Sequence, residues 1–171
     1  AQLGERYNGP IAFSDDPDLA RVAAEYDCMV ILMHKRGTPK EMQRAPSYQD
    51  TVAEILSELN QGVERALTAG VEKERIILDP GIGFGKRYED NLIILNQLRR
   101  LREAGFPLLV GHSRKSFLGR ISGREVDERL PASLAAGGMA QLGGAEILRV
   151  HDVAATRDAA AVVKAVQGAA E

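Results

Sequence analysis

The residues of this 171-residue chain with the most chemistry to offer gather in four short stretches: His34-Lys35-Arg36-Gly37, Asp79-Pro80-Gly81-Ile82-Gly83-Phe84-Gly85-Lys86, Gly111-His112-Ser113-Arg114-Lys115-Ser116 and Arg149-Val150-His151-Asp152. All three histidines lie in them, and Lys35, Arg36, Lys40, Lys86, Arg87, Arg114, Lys115 and Arg149 lie in or beside them. In a chain with 22 basic and 24 acidic side chains, that concentration suits an anionic small molecule. Taken singly, each cation is equally compatible with a solvated loop. An ionised Asp79 only accepts hydrogen bonds, which matches a ligand edge carrying adjacent N–H donors. The glycines that follow it allow positive φ or a close backbone approach to a ligand. A nucleotide P-loop is poorly matched, because Gly85-Lys86 is followed by Arg87 and not by Ser or Thr. Ser113 and Ser116 open a helix, where free N–H groups attract a carboxylate; equally, Ser113 can serve as a helix cap. Arg149 and His151 alternate about Val150, a grip for phosphate. Three histidines also suggest zinc, yet no His-x-His pair or carboxylate cluster completes a shell.

Positioning these groups requires a regular scaffold, and the intervening sequence supplies one. Met29 to Met33, Arg75 to Leu78, Pro107 to Val110 and Glu146 to Val150 are continuous apolar runs, expected as strands buried on both faces, with Ile11 to Phe13 a fifth candidate. Helical periodicity lies between them. Ser14 or Asp15 caps a helix entered at Pro17, with Leu19, Val22 and Ala23 inward. Ser47 opens a capping-box spacing before Val52, Ile55, Leu56, Leu59, Val63, Ala66 and Leu67, ended by Gly70. Tyr88 to Ala104 turns Leu92, Leu95, Leu98 and Leu101 inward, and two further helices span Pro131 to Leu142 and Thr156 to Gln167. Gly137 and Gly138 inside a helix imply close packing against a neighbour. Alternating strands and helices predict a parallel α/β sheet with every strand C-terminus on one edge, the edge that carries the four stretches.

Composition narrows the classes further. A net charge of −2 excludes a nucleic-acid binder that relies on global positive charge. The apolar runs are too short to cross a bilayer, and the single Cys28 cannot form an internal disulfide, so a cytoplasmic globular domain is expected.

The motifs H-K-R-G-T-P-K-x-M-Q, L-D-P-G-I-G-F-G-K, G-H-S-R-K-S and L-R-V-H-D-V, in this order, resemble those of the dihydropteroate synthase family. The resemblance implies a TIM (β/α)8 barrel represented by about its C-terminal half, four to five parallel strands forming one pterin-binding domain over residues 1–171. A whole barrel takes about 250 residues, so the family's opening segment is expected to be absent. The implied reaction belongs to folate biosynthesis: p-aminobenzoate displaces diphosphate from 6-hydroxymethyl-7,8-dihydropterin diphosphate. By position, Asp79 and Lys115 would bind the pterin ring. Arg149 would lie across its face and, with His151, hold the phosphates; these four are the implied catalytic residues. Asn8, Met33 and Gly111 would line the pterin slot, and Phe84, Ser113 and Ser116 the p-aminobenzoate site. A magnesium ion, sulfonamide inhibitors and a homodimer are also implied, with no metal ligand assigned in this chain. A pterin-binding methyltransferase domain and a non-catalytic half-barrel are the alternatives.

Overall fold

The computed structural model describes residues 18–37 and 47–169. Asn8, Lys40, the expected strand at Ile11 to Phe13 and the expected cap at Ser14 or Asp15 lie outside the described residues.

The order of elements is α1 (Asp18–Glu25), β1 (Val30–Met33), α2 (Thr51–Thr68), β2 (Ile76–Asp79), α3 (Tyr88–Asn96), α4 (Leu98–Arg102), β3 (Leu109–Val110), α5 (Ser116–Ser122), α6 (Leu130–Leu142), β4 (Ile147–Leu148) and α7 (Val153–Gly168). β1 pairs parallel with β2, a parallel bridge from Leu78 to Leu108 joins β2 to the approach of β3, and β3 pairs parallel with β4. The spatial order is therefore β1-β2-β3-β4, with all C-termini on one edge.

Helix α2 packs onto this sheet through Val52, Ile55, Leu59, Val63 and Ala66, which fall on one face at helical spacing and meet Val30, Leu32, Ile76 and Leu78 in a common core. Its cap is Asp50, not the expected Ser47: the Asp50 carboxylate accepts from Val52 N at 3.1 Å and Ala53 N at 3.0 Å. Leu67 and Val22, expected inward, are exposed because each sits on the rim of its helix's apolar face, where the sheet no longer covers it. The expected helix from Tyr88 to Ala104 is broken at Gln97, whose N–H is shared between Ile93 O and Ile94 O. Gly137 does permit close packing, since a Cβ there would come 3.1 Å from His112 Nε2, whereas Gly138 has ordinary room.

β4 departs most from expectation. It is two residues long, and Ile147 is 36% exposed. It is the last strand of the described sheet, so only β3 covers its backbone, and beyond Leu148 the chain leaves the ladder.

Candidate active site

β2 ends in Asp79, and the register sets Met33 of β1 beside it, with Met33 itself buried. The carboxylate is 1% exposed; Oδ1 accepts from Gly81 N at 2.8 Å and Oδ2 from Arg149 Nη2 at 3.0 Å. Burial pushes the carboxyl above the usual carboxylate range, opposed by the Gly81 N–H, Arg149, Lys115 and Lys86. The loop that follows crosses the end of β1 at contact distance. A Cβ at Gly81, where φ is +66°, would stand 1.8 Å from His34 O, so glycine is required there. Side chains fix the remainder: Asn91 Oδ1 accepts from Gly83 N at 2.7 Å, Tyr48 Oη donates to Gly85 O at 2.7 Å, and Lys86 Nζ donates to Phe84 O at 2.9 Å.

Lys115 reaches the same loop from the turn after β3. Its Nζ donates to Ile82 O and lies 4.4 Å from the centroid of the Phe84 ring. Burial, helped by Arg149 and opposed by Asp79, lowers its pKa to about 8. Arg149 crosses Gly111 so closely that a Cβ there would sit 2.8 Å from Nη2. His151 Nδ1 lies 3.0 Å from Ser113 Oγ. Ser113 therefore does not cap α5, which begins at Ser116 with no side-chain cap at Lys115.

These groups enclose a cavity of about 350 Å³ lined by Phe84, Gly111, Ser113, Lys115, Arg149, Val150 and His151. Asp79 is linked to it through Arg149. Val150, expected on the opposite side from its neighbours, also lines the cavity because the strand has ended at Leu148. Ser116 is exposed at the start of α5 and is not part of the lining.

Residues 7–151 match the family described as pterin binding enzyme. The chain belongs to that family. It is 41% identical over all 171 residues to dihydropteroate synthase of Escherichia coli (strain K12), covering 61% of that protein. Among solved structures it is similar to the Yersinia pestis dihydropteroate synthase with a sulfonamide drug complex, at TM-score 0.88 and 39% identity, over 91% of this chain and 57% of that one. It is likewise similar to the Xanthomonas albilineans dihydropteroate synthase in complex with 7,8-dihydropteroate, at TM-score 0.84 and 42% identity, over 91% and 56% of the two chains. The chain thus spans about three-fifths of these relatives' length. Its α/β architecture is that of the TIM-barrel class.

Within this member of the family most of the described basic edge is already paired. Arg36 engages Glu54 at 2.9 Å and also Glu58, Arg87 engages Asp90 at 2.8 Å, and Arg114 engages Asp152 at 2.7 Å. Among the described residues, Lys115 and Arg149 are the cations of that set that line the cavity, and Arg149 is also paired with Asp79. The histidines separate as well: His34 is buried between Lys86 Nζ, 2.9 Å away, and Glu58 Oε2, 3.0 Å away, and His112 Nε2 lies 3.0 Å from Ser133 O. Among the described residues no three His, Cys, Asp or Glu side chains converge to hold a metal. Sequence reasoning missed Tyr48, Asn91 and the pinning role of Lys86. Asn91 and Lys86 were signalled by nearness in sequence to a glycine-rich turn that needs fixed partners; Tyr48, 37 residues from Gly85, carried no such signal.

Proposed function

We propose that this chain carries the pterin and p-aminobenzoate chemistry of dihydropteroate synthesis. The arylamine nitrogen forms a bond to the 6-methylene carbon of hydroxymethyl-dihydropterin diphosphate, the C–O bond to the diphosphate breaks, and the ammonium proton passes to solvent. The observation that carries this reading is the single cavity shared by Lys115, Arg149, His151, Phe84, Gly111 and Ser113, with Asp79 behind it. A buried carboxylate beside two cations matches the pterin edge, which presents both N–H donors and an acceptor. Asp79 exchanges part of its contact with Arg149 for ring N–H groups, and Lys115 donates to the ring. Arg149, flat against Gly111, stays over the pterin face and, with His151, stabilises negative charge on the departing diphosphate. Phe84 and Ser116, with Ser113, face the p-aminobenzoate. A neutral arylamine is a weak nucleophile, so positioning and electrostatics do most of the work.

By the same reading the protein works in the cytoplasm as a homodimer and is inhibited by sulfonamides, a class bound by the Yersinia pestis relative.

Calorimetric titration with a pterin tests the assignment. A buried hydrogen bond to a charged group is worth about 1.5–3 kcal/mol, so Asp79→Asn and Lys115→Ala should each weaken binding roughly ten- to a hundredfold. Unchanged affinity in both variants would remove the ring-binding roles. Sulfonamide inhibition that does not weaken as p-aminobenzoate is raised would contradict a shared pocket.

A further inference from the structure

We infer that Ser113 is a positioning residue that sets the tautomer of His151, so that the imidazole presents Nε2–H to the departing diphosphate. The inference rests on the proposed function and deepens it at one residue. Ser113 is buried, and its Oγ accepts the His151 backbone N–H at 3.3 Å while lying 3.0 Å from Nδ1 of the same residue. A serine hydroxyl has one hydrogen and two lone pairs. One lone pair takes the His151 N–H, and among the described residues Nδ1 is the acceptor within reach of the buried hydroxyl hydrogen, so that hydrogen is satisfied by pointing at Nδ1. The neutral ring then carries its own hydrogen on Nε2. That arrangement suits a fully ionised phosphate oxygen, which accepts hydrogen bonds and donates none.

A second set of contacts keeps the two residues in register. Their chain neighbours form a two-pronged ion pair: Arg114 Nε and Nη2 reach Asp152 Oδ2 and Oδ1 at 3.0 and 2.7 Å. Arg114 has a left-handed backbone, φ 57°, rare outside glycine. Ser133 Oγ accepts its N–H at 2.9 Å, and Arg129 Nη1 donates to its carbonyl at 3.0 Å. The turn after β3 and the segment after β4 are thereby latched immediately beyond the Ser113–His151 contact.

Long-range nitrogen-15 NMR of the imidazoles tests this without any need for turnover, since only three histidines contribute. The expected spectrum shows His151 with hydrogen on Nε2 and a bare Nδ1. Ser113→Ala should mix the two tautomers and weaken inorganic diphosphate binding by about tenfold, and be rescued on both counts by Ser113→Thr. His151 protonated at Nδ1 in the unmodified protein overturns the inference, as does a Ser113→Ala variant with unchanged tautomer and diphosphate affinity. If Ser113→Ala does not fold, the unmodified spectrum and Ser113→Thr still decide. A correct tautomer in a protein with no affinity for diphosphate upholds the positioning role and overturns the diphosphate assignment.

Discussion

His34 shows how burial rewrites the chemistry of a single residue. Burial, with Lys86 and Arg36 nearby, lowers its pKa from 6.5 to about 3, so in the folded protein it stays neutral where a free histidine would protonate. As pH falls from 6.5 towards 3, the unfolded chain takes up a proton that folded His34 refuses, and stability is lost over that window. Between pH 6.5 and about 4.5 the loss is about 2–3 kcal/mol. Guanidine unfolding should show a steeper acid-side decline for the unmodified chain than for His34→Gln, and equal slopes would refute the assignment. Lys86 works at the other end: burial lowers its pKa to about 7, so its folding penalty is full below that pH and is relieved as pH rises towards 10.5. Lys86→Met should flatten the alkaline slope. At this scale the sequence marked Asp79, Lys115, Arg149 and His151 at strand ends inside motifs, and the structure brings them together. Lys86 and His34 lie in the same motifs, but their burial against each other was not legible, because a polar side chain in a loop reads as solvated until the packing around it is known.

The two glycines nearest Asp79 and Arg149 separate what an element needs for folding from what it needs for binding. At Gly81 the obstacle to a Cβ is backbone, His34 O, and φ is positive. Gly81→Ala should therefore destabilise the fold by more than about 2 kcal/mol, the cost of a left-handed residue plus a clash that cannot relax. At Gly111 the obstacle is the Arg149 guanidinium, a mobile side chain. Gly111→Ala should leave the unfolding midpoint nearly unchanged and weaken pterin binding by about tenfold as Arg149 is pushed off its place. Thermal unfolding paired with calorimetry checks both, and a Gly111→Ala variant that binds normally would show that Arg149 need not lie there. Element types and order were legible in the sequence; several boundaries were not. Leu92 and Leu101 are nine residues apart, which on a 3.6-residue helix puts them half a turn out of phase. The break at Gln97 resets that phase, so Leu95, Leu98 and Leu101 are buried and Leu92 packs at the core's edge. Residue spacing alone does not reveal where such a reset falls.

Across the whole molecule the four described strands form an open parallel sheet, whereas a closed barrel of this class has eight. The last of them, β4, exposes its backbone edge and Ile147. Beside it, α6, β4 and α7 border a groove of about 1090 Å³ that includes Leu148, Val150 and Val153. Met139, Leu142, Val162 and Val166 on the same two helices are also exposed. An uncovered strand edge flanked by apolar side chains favours pairing with another chain. Expressed as these 171 residues alone, the protein should show a mass by light scattering that rises with concentration. Catalysis should suffer more than ligand binding. The cavity groups lie after β2, β3 and β4, so a pterin can still be held, but the relatives run well beyond the matched span. Each transition-state contact that remains unmade, at about 3 kcal/mol, lowers the rate roughly a hundredfold. Two such losses put diphosphate release near the limit of detection while pterin binding by calorimetry stays measurable. A monodisperse monomer with rapid turnover would refute pairing through the β4 edge and mean that the described groups suffice for the chemistry.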